Sequence, residues 1–191
     1  WSSDVCSSDL MAADIGQGSD TILPQILAEE LGLKMEDIRI TSADTATTPQ
    51  ADLGSWGSRV TLMAGNAVID AAKKLKEILF GAVTAHYNLN VIHELECKGG
   101  RIYSQVRPDK GLTFGEAVAL AQKFNRGVPL VTRGAYTPRG MGMVTPAFSF
   151  GAQVAEVEVD DKTGKVEVKK MWTAHDCGTV LNPVSVEGQL E

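Results

Sequence analysis

Twice in this chain a glycine- and serine-rich turn opens directly into a one-sided apolar segment, and this repeated arrangement restricts the fold more than any other feature. The first turn is Gly16-Gln17-Gly18-Ser19-Asp20, ahead of residues 21–32. The second is Gly54-Ser55-Trp56-Gly57-Ser58-Arg59, ahead of a long apolar stripe that ends near Asn88. Helix N-termini carry unpaired N–H groups and partial positive charge, and glycine lets a ligand approach the backbone closely, so each turn is suited to an anion. Two such turns in one short chain suggest a large phosphorylated ligand.

The helical segments are readable from their spacing. Ile22, Leu23, Ile26, Leu27 and Leu31 recur at helical intervals, with Ser19 or Asp20 as N-cap candidates and Gly32 as the stop. Residues 60–83 set Val60, Met63, Ala64, Ala67, Val68, Ala71, Ala72, Leu75, Ile78 and Leu79 along a broad stripe whose alanine-rich middle suggests close packing. Thr113-Phe114-Gly115-Glu116 fits a capping box, and Gly127 would end that helix.

Strand signals lie between and after these helices. Residues 38–41 alternate, followed by a polar loop over 42–53. Residues 91–96 and 101–106 flank Lys98-Gly99-Gly100 as a hairpin, and 128–136 read as a strand. Residues 137–145 read as a flexible loop rich in Gly, Met and Arg. A long hairpin joins 150–159 to 165–173 through Asp160-Asp161-Lys162-Thr163-Gly164, with a further helix expected around Glu187 to Gln189.

Composition removes several function classes. The 191 residues are 43% hydrophobic and 22% charged, as in a folded globular protein, and the formal charge of −6 gives no basic footprint for nucleic acid. No apolar run reaches the roughly 18 residues of a membrane span. Residues 1–10 have neither the basic start nor the apolar centre of a secretory signal. They resemble a sequencing adapter read through as coding DNA, so they are expected to be an artefact and are set aside, leaving 11–191 as the natural part. Its Cys97 and Cys177 form no paired framework, which suggests reduced thiols in a cytoplasmic protein and no zinc or iron–sulfur site. Both ends of the chain are abrupt, as in an internal fragment.

The residues that bear chemistry admit more than one reading. Gly16-Gln17-Gly18 lacks the third glycine of the dinucleotide fingerprint, and no phosphate-loop signature occurs. It serves either as a helix cap or as a ligand turn in which the Gln17 amide offers a donor and an acceptor. Gly57 offers bare backbone, Ser55 and Ser58 offer hydroxyls and Arg59 a planar fork for phosphate, against an ordinary cap with a surface arginine. His175-Asp176-Cys177 sits at a strand end where neighbours point to opposite faces, which argues against a metal or catalytic cluster.

Four motifs in order resemble one family. Asp14 to Gly18, Gly54 to Arg59, residues 151–159, and Asp176-Cys177-Gly178 with Asn182-Pro183 and Glu187-Gly188-Gln189 are similar to the molybdenum-binding large subunit of the xanthine dehydrogenase and aldehyde oxidase group. The run from Asp52 to Thr61 with Met63 to Ala67 most resembles the 4-hydroxybenzoyl-CoA reductase branch. The resemblance implies a mixed α/β (α+β) fold, part of the molybdopterin-binding domain of a molybdenum hydroxylase large subunit. It implies a molybdenum-pyranopterin cofactor in the molybdopterin cytosine dinucleotide form, with the metal held by the pterin's sulfurs and by no side chain of this chain.

Carried over position by position, Gly16, Gln17 and Gly18 match the family's glutamine turn near the molybdenum. Trp56, Gly57, Ser58 and Arg59 match the loop around the pterin and its phosphates. Gln189 matches a later glutamine that faces the cofactor, while Asp176, Cys177 and Gly178 shape their loop. The family's general-base glutamate, its substrate-facing arginine and its Phe-Gly-Gly loop have no counterpart here, so no catalytic residue is assigned. By the same resemblance, iron–sulfur clusters and FAD belong to other subunits or domains of a hetero-oligomer. The substrate would be an aromatic, heterocyclic, aldehyde or acyl-CoA molecule. From the residues alone the competing reading is a non-catalytic nucleotide- or phosphate-binding module.

Overall fold

The computed structural model describes the backbone of residues 6–10 and, in full, residues 12–42, 44, 46, 48, 54–90, 94–138 and 148–191. The chain divides into two units, Trp1–Thr145 and Pro146–Glu191.

The first unit is organised by two helices, α1 (Ser19–Leu31) and α2 (Val60–Tyr87), with a third, α3 (Phe114–Phe124), packed on α2. The apolar stripes read from the sequence face one another. Leu23, Leu27 and Leu31 of α1, Val68, Ala72, Leu79 and Val83 of α2, and Ala117 and Ala121 of α3 share one buried core. Each large aliphatic side chain so buried contributes about 1.5–3 kcal/mol relative to exposure. Two helix stops are those expected: Gly32 ends α1 at φ +60°, and Asn88 ends α2 at φ 50°, whereas α3 ends at Phe124 with Asn125 as its C-cap, ahead of the Gly127 expected. The N-cap of α1 is Gly18, one residue ahead of the two candidates, because its left-handed φ of 81° turns the chain into the helix.

Two small sheets complete this unit. Strand β1 (Cys6–Leu10) runs parallel to β2 (Ile38–Ser42), pairing Cys6 with Ile38 and Leu10 with Ser42. The sequence gives no strand period over 6–10, and this segment was set aside from the fold; ladder pairing uses backbone groups, which need no side-chain pattern. Strands β3 (Leu95–Lys98) and β4 (Arg101–Ser104) form the expected hairpin around Gly99 and Gly100, both at positive φ, and β5 (Gly111–Thr113) adds a third antiparallel strand. The capping box holds as read: the Glu116 amide donates to Thr113 Oγ1, and the Thr113 amide to Glu116 Oε2.

Residues 128–136 are not a strand. Their polar groups go to α2 instead: Thr132 Oγ1 donates to the Ala71 carbonyl at 3.0 Å, the Ala135 amide to Asp70 Oδ2 at 3.0 Å, and Lys74 Nζ to the Arg133 carbonyl at 2.9 Å. Gly134 lies so near the helix that a Cβ there would meet the Ala67 carbonyl. The alanine-rich middle of α2 is what admits this approach. Among the described residues, no helix is long and apolar enough to cross a membrane. The polar loop read over 42–53 and the loop over 137–145 fall largely outside the described residues.

The second unit is a hairpin, β6 (Phe150–Val159) and β7 (Val166–Asp176), followed by α4 (Pro183–Leu190). Asp160 closes the turn by accepting the amides of Lys162 and Thr163. The ladder slips by one residue between Glu156 and Val157: Glu156 pairs with Lys170 but Val157 with Val168, so Lys169 is skipped. Before the slip, Phe150, Val154 and Trp172 share one face. After it, Val157, Val159, Val166 and Val168 share the opposite face, and Lys169 bridges Glu158 and Glu167 on the first. Helix α4 starts ahead of the Glu187–Gln189 position expected, because Asn182 caps it through the Ser185 amide and Pro183 occupies its first turn.

Candidate functional site: two turns joined at one carbonyl

The two glycine turns meet at the carbonyl of Ala13, which lies 42 positions from Ser55 in sequence. Ser55 Oγ of the second turn donates to it at 2.6 Å, and Gln17 Nε2 of the first donates to it at 3.1 Å. Gln17 also donates to Ser19 Oγ at 3.1 Å and accepts the Ile15 amide at 2.7 Å. Both amide hydrogens of Gln17 are thus engaged inside its own turn, and among the described residues its Oε1 accepts from the Ile15 amide alone. Gly16 and Gly18 have φ of 102° and 81°, and a Cβ at Gly16 would meet nothing within 4 Å. The turn is therefore open on the Gly16 side.

The anion expected at the first turn is already supplied by the chain itself. Asp14 accepts the Gly16 amide at 2.8 Å and the Asp20 amide, in the first turn of α1, at 3.0 Å. These amides, that of Asp20 foremost, hold the Asp14 carboxyl below the usual carboxylate range. The reading of this turn as a free anion site is corrected accordingly. An aspartate two residues before Gly16 and six before Asp20 is the local signal that marks it.

The second turn is different. Gly54, Gly57 and Ser58 all have positive φ, at 105°, 60° and 54°. For Ser58 this left-handed conformation costs about 1–2 kcal/mol. The N-cap of α2 is Arg59, whose side chain makes no capping hydrogen bond, and a Cβ on Gly57 would meet nothing within 4 Å. Arg59 is only 4% exposed, so it is no surface arginine; its guanidinium lies 5.5 Å from the centroid of the Trp56 ring, which is itself about half exposed. A buried cation beside an uncapped helix start and an open glycine fits a phosphorylated ligand.

Gln189 lies on α4 in the second unit and is exposed. At the end of β7, Asp176 Oδ1 accepts the Gly178 amide at 2.9 Å, a bond that shapes the loop. Cys97 and Cys177 are free thiols. Among the described residues, no group of three His, Cys, Asp or Glu side chains could hold a metal ion.

Comparison with known proteins gives the family of the chain. The sequence model of the molybdopterin cofactor-binding domain matches residues 9–191. The carbon monoxide dehydrogenase large chain of Afipia carboxidovorans is 34% identical over 177 residues, which cover 92% of this chain and 21% of that protein. The xanthine dehydrogenase molybdenum-binding subunit of Escherichia coli O157:H7 is 33% identical over 187 residues, covering 94% of this chain and 23% of the relative. Among solved structures, carbon monoxide-reduced Cu,Mo-CO dehydrogenase matches with a TM-score of 0.75 at 29% identity, over 96% of this chain and 23% of its own. Quinoline 2-oxidoreductase from Pseudomonas putida 86 matches with a TM-score of 0.73 at 26% identity, over 96% and 23%. The chain spans about a fifth of the length of the curated relatives it matches. It belongs to the molybdopterin cofactor-binding domain family, within the xanthine dehydrogenase group of molybdenum oxidoreductases.

Proposed function

We propose that this chain holds the pyranopterin part of a molybdenum cofactor, in the cytosine dinucleotide form, within a larger oxidoreductase. The observation that carries the reading is the second turn: the start of α2 lacks a side-chain cap, Gly57 is open, and the buried Arg59 lies beside it. The backbone amides of Gly57, Ser58 and Arg59 and the Ser58 hydroxyl take the pterin and its phosphates, with Trp56 as a wall. Gly16, Gln17 and Gly18 approach the metal end, and Gln189 contributes from α4. When bound, the group supplies two-electron redox chemistry. These residues bind and orient it, and the proton-transferring glutamate lies outside them.

The whole protein acts on an aromatic, heterocyclic, aldehyde or acyl-CoA carbon and passes electrons to iron–sulfur and flavin subunits in the cytoplasm. Carbon monoxide dehydrogenase and quinoline 2-oxidoreductase among its relatives show how far substrates vary around this domain. The resemblance of Asp52 to Thr61 with Met63 to Ala67 favours 4-hydroxybenzoyl-CoA and its reductive dehydroxylation.

The test is composition. The whole natural polypeptide, produced with its partner subunits in a molybdate-fed host, should carry stoichiometric molybdenum and pterin and release CMP on acid hydrolysis. Pterin without CMP would refute the cytosine dinucleotide form. Absence of molybdenum and pterin with retained nucleotide would establish a non-catalytic nucleotide- or phosphate-binding module instead. Turnover of 4-hydroxybenzoyl-CoA with a low-potential donor separates the reductase from a hydroxylase.

A further inference from the structure

We propose that Ser55 is a positioning residue that fixes the spacing of the two turns before any ligand arrives. The inference rests on the reading of both turns as cofactor-facing. Ser55 precedes the run assigned to the cofactor, and its hydroxyl points back to the Ala13 carbonyl at 2.6 Å.

A carbonyl oxygen has two lone pairs, and at Ala13 one takes Ser55 Oγ and the other Gln17 Nε2. The second donor hydrogen of Gln17 goes to Ser19, which opens α1 and is 3% exposed. A displacement at Ser55 is therefore passed through one oxygen atom to the plane of the Gln17 amide and to the start of α1. In the other direction, Ser55 is joined by a few residues to the left-handed pair Gly57-Ser58. The packing of α1 on α2 brings the two helices together, with Gly65 close to Ile26. It does not by itself fix the loops ahead of them.

The coupling has a physical use. A ligand that spans both turns would otherwise meet the cost of ordering two loops relative to each other when it binds; a bond already made removes part of that cost. Alanine at position 55 removes the donor and leaves Gln17, among the described residues, as the remaining donor to the Ala13 carbonyl. Threonine keeps the hydroxyl.

Two measurements on the whole natural polypeptide test this, with Ser55→Ala and Ser55→Thr. In a host unable to make molybdopterin, amide exchange of peptides 12–20 and 54–62 is followed by mass spectrometry. Ser55→Ala should quicken exchange about two- to tenfold in both peptides, as expected for one lost hydrogen bond, and Ser55→Thr should restore the wild-type rates. Unchanged exchange over 12–20 in Ser55→Ala overturns the coupling, whatever the turns bind. In a molybdate-fed host, Ser55→Ala should retain severalfold less molybdenum and pterin, again with rescue by threonine. Wild-type cofactor content in Ser55→Ala overturns the positioning role and leaves the cofactor reading standing. A wild-type protein that holds neither molybdenum nor pterin overturns both.

Discussion

Gly134 is the position at which adding one methyl group should do most harm for least chemical change. Its φ lies outside the left-handed region, so alanine is torsionally permitted and space alone decides. A Cβ would stand 1.8 Å from the Ala67 carbonyl oxygen and 2.7 Å from the Ala71 nitrogen, both backbone atoms of α2 that cannot swing aside. To reach ordinary contact near 3.4 Å, segment and helix must part by about 1.6 Å. The bonds from Thr132 to Ala71 and from the Ala135 amide to Asp70, each 3.0 Å long, would then exceed 4 Å and be lost. The Lys74 side chain is long enough to follow Arg133, so it is not counted. Two lost bonds at about 0.5–1.5 kcal/mol each give a local destabilisation of about 2 kcal/mol. That corresponds to roughly 30-fold faster amide exchange across 130–138, where RT sets tenfold per 1.36 kcal/mol. Exchange mass spectrometry of Gly134→Ala against wild type reads it directly. Gly115→Ala is the control: it lies in α3, its Cβ meets nothing within 4 Å, and it should be neutral or gain up to about 1 kcal/mol. Wild-type exchange over 130–138 in Gly134→Ala would refute the close approach.

Two further outcomes concern titrating groups. Asp14 is held below its ordinary 3.8 by the Asp20 and Gly16 amides, so its contribution to the turn is full above that value and fades as pH falls below it through the folded pKa. The Gly16 and Asp20 amide shifts, followed by NMR from pH 5 to 2, should have their midpoint under 3.8; a midpoint above it would show that the carboxylate does not hold these amides. Cys97 donates its thiol to the Leu31 carbonyl at 2.8 Å, and burial pushes its pKa up to about 11. At pH 8 roughly 0.1% of it is thiolate, so iodoacetamide should alkylate the exposed Cys177 at least about tenfold faster. Equal labelling rates would contradict the raised pKa of the half-buried Cys97.

What was legible in the sequence was local. Helices α1 and α2 of the first unit are legible through spacing and stops, since the same side chains that form the stripe form the core. The Thr113–Glu116 box is a relation within four residues and came through intact. Residues 128–136 read as a strand because Val128, Val131 and Thr132 favour an extended backbone, and that preference does not name the partner. The partner is a helix, found through Asp70 and Ala71 some sixty positions away. Strand β1 was missed because its pairing needs no side-chain pattern. The turns of the candidate site were visible through their glycines, and Asp14 could have been read from its spacing to Gly16. The meeting of Ser55 with Ala13 could not, since no periodicity links residues 42 apart.

The skipped Lys169 keeps the valines of the two strands on a common face. Without the slip, Val157 and Val159 would hold their face by the alternation of β6, while Val166 and Val168 would turn to the face of Trp172 and Val168 would stand opposite Glu158. With it, the end carrying Phe150, Val154 and Trp172 and the end carrying the four valines turn in opposite directions. Any single packing layer then keeps only half of the hairpin dry, and deletion of Lys169 would make the ladder regular while leaving the four valines on their shared face.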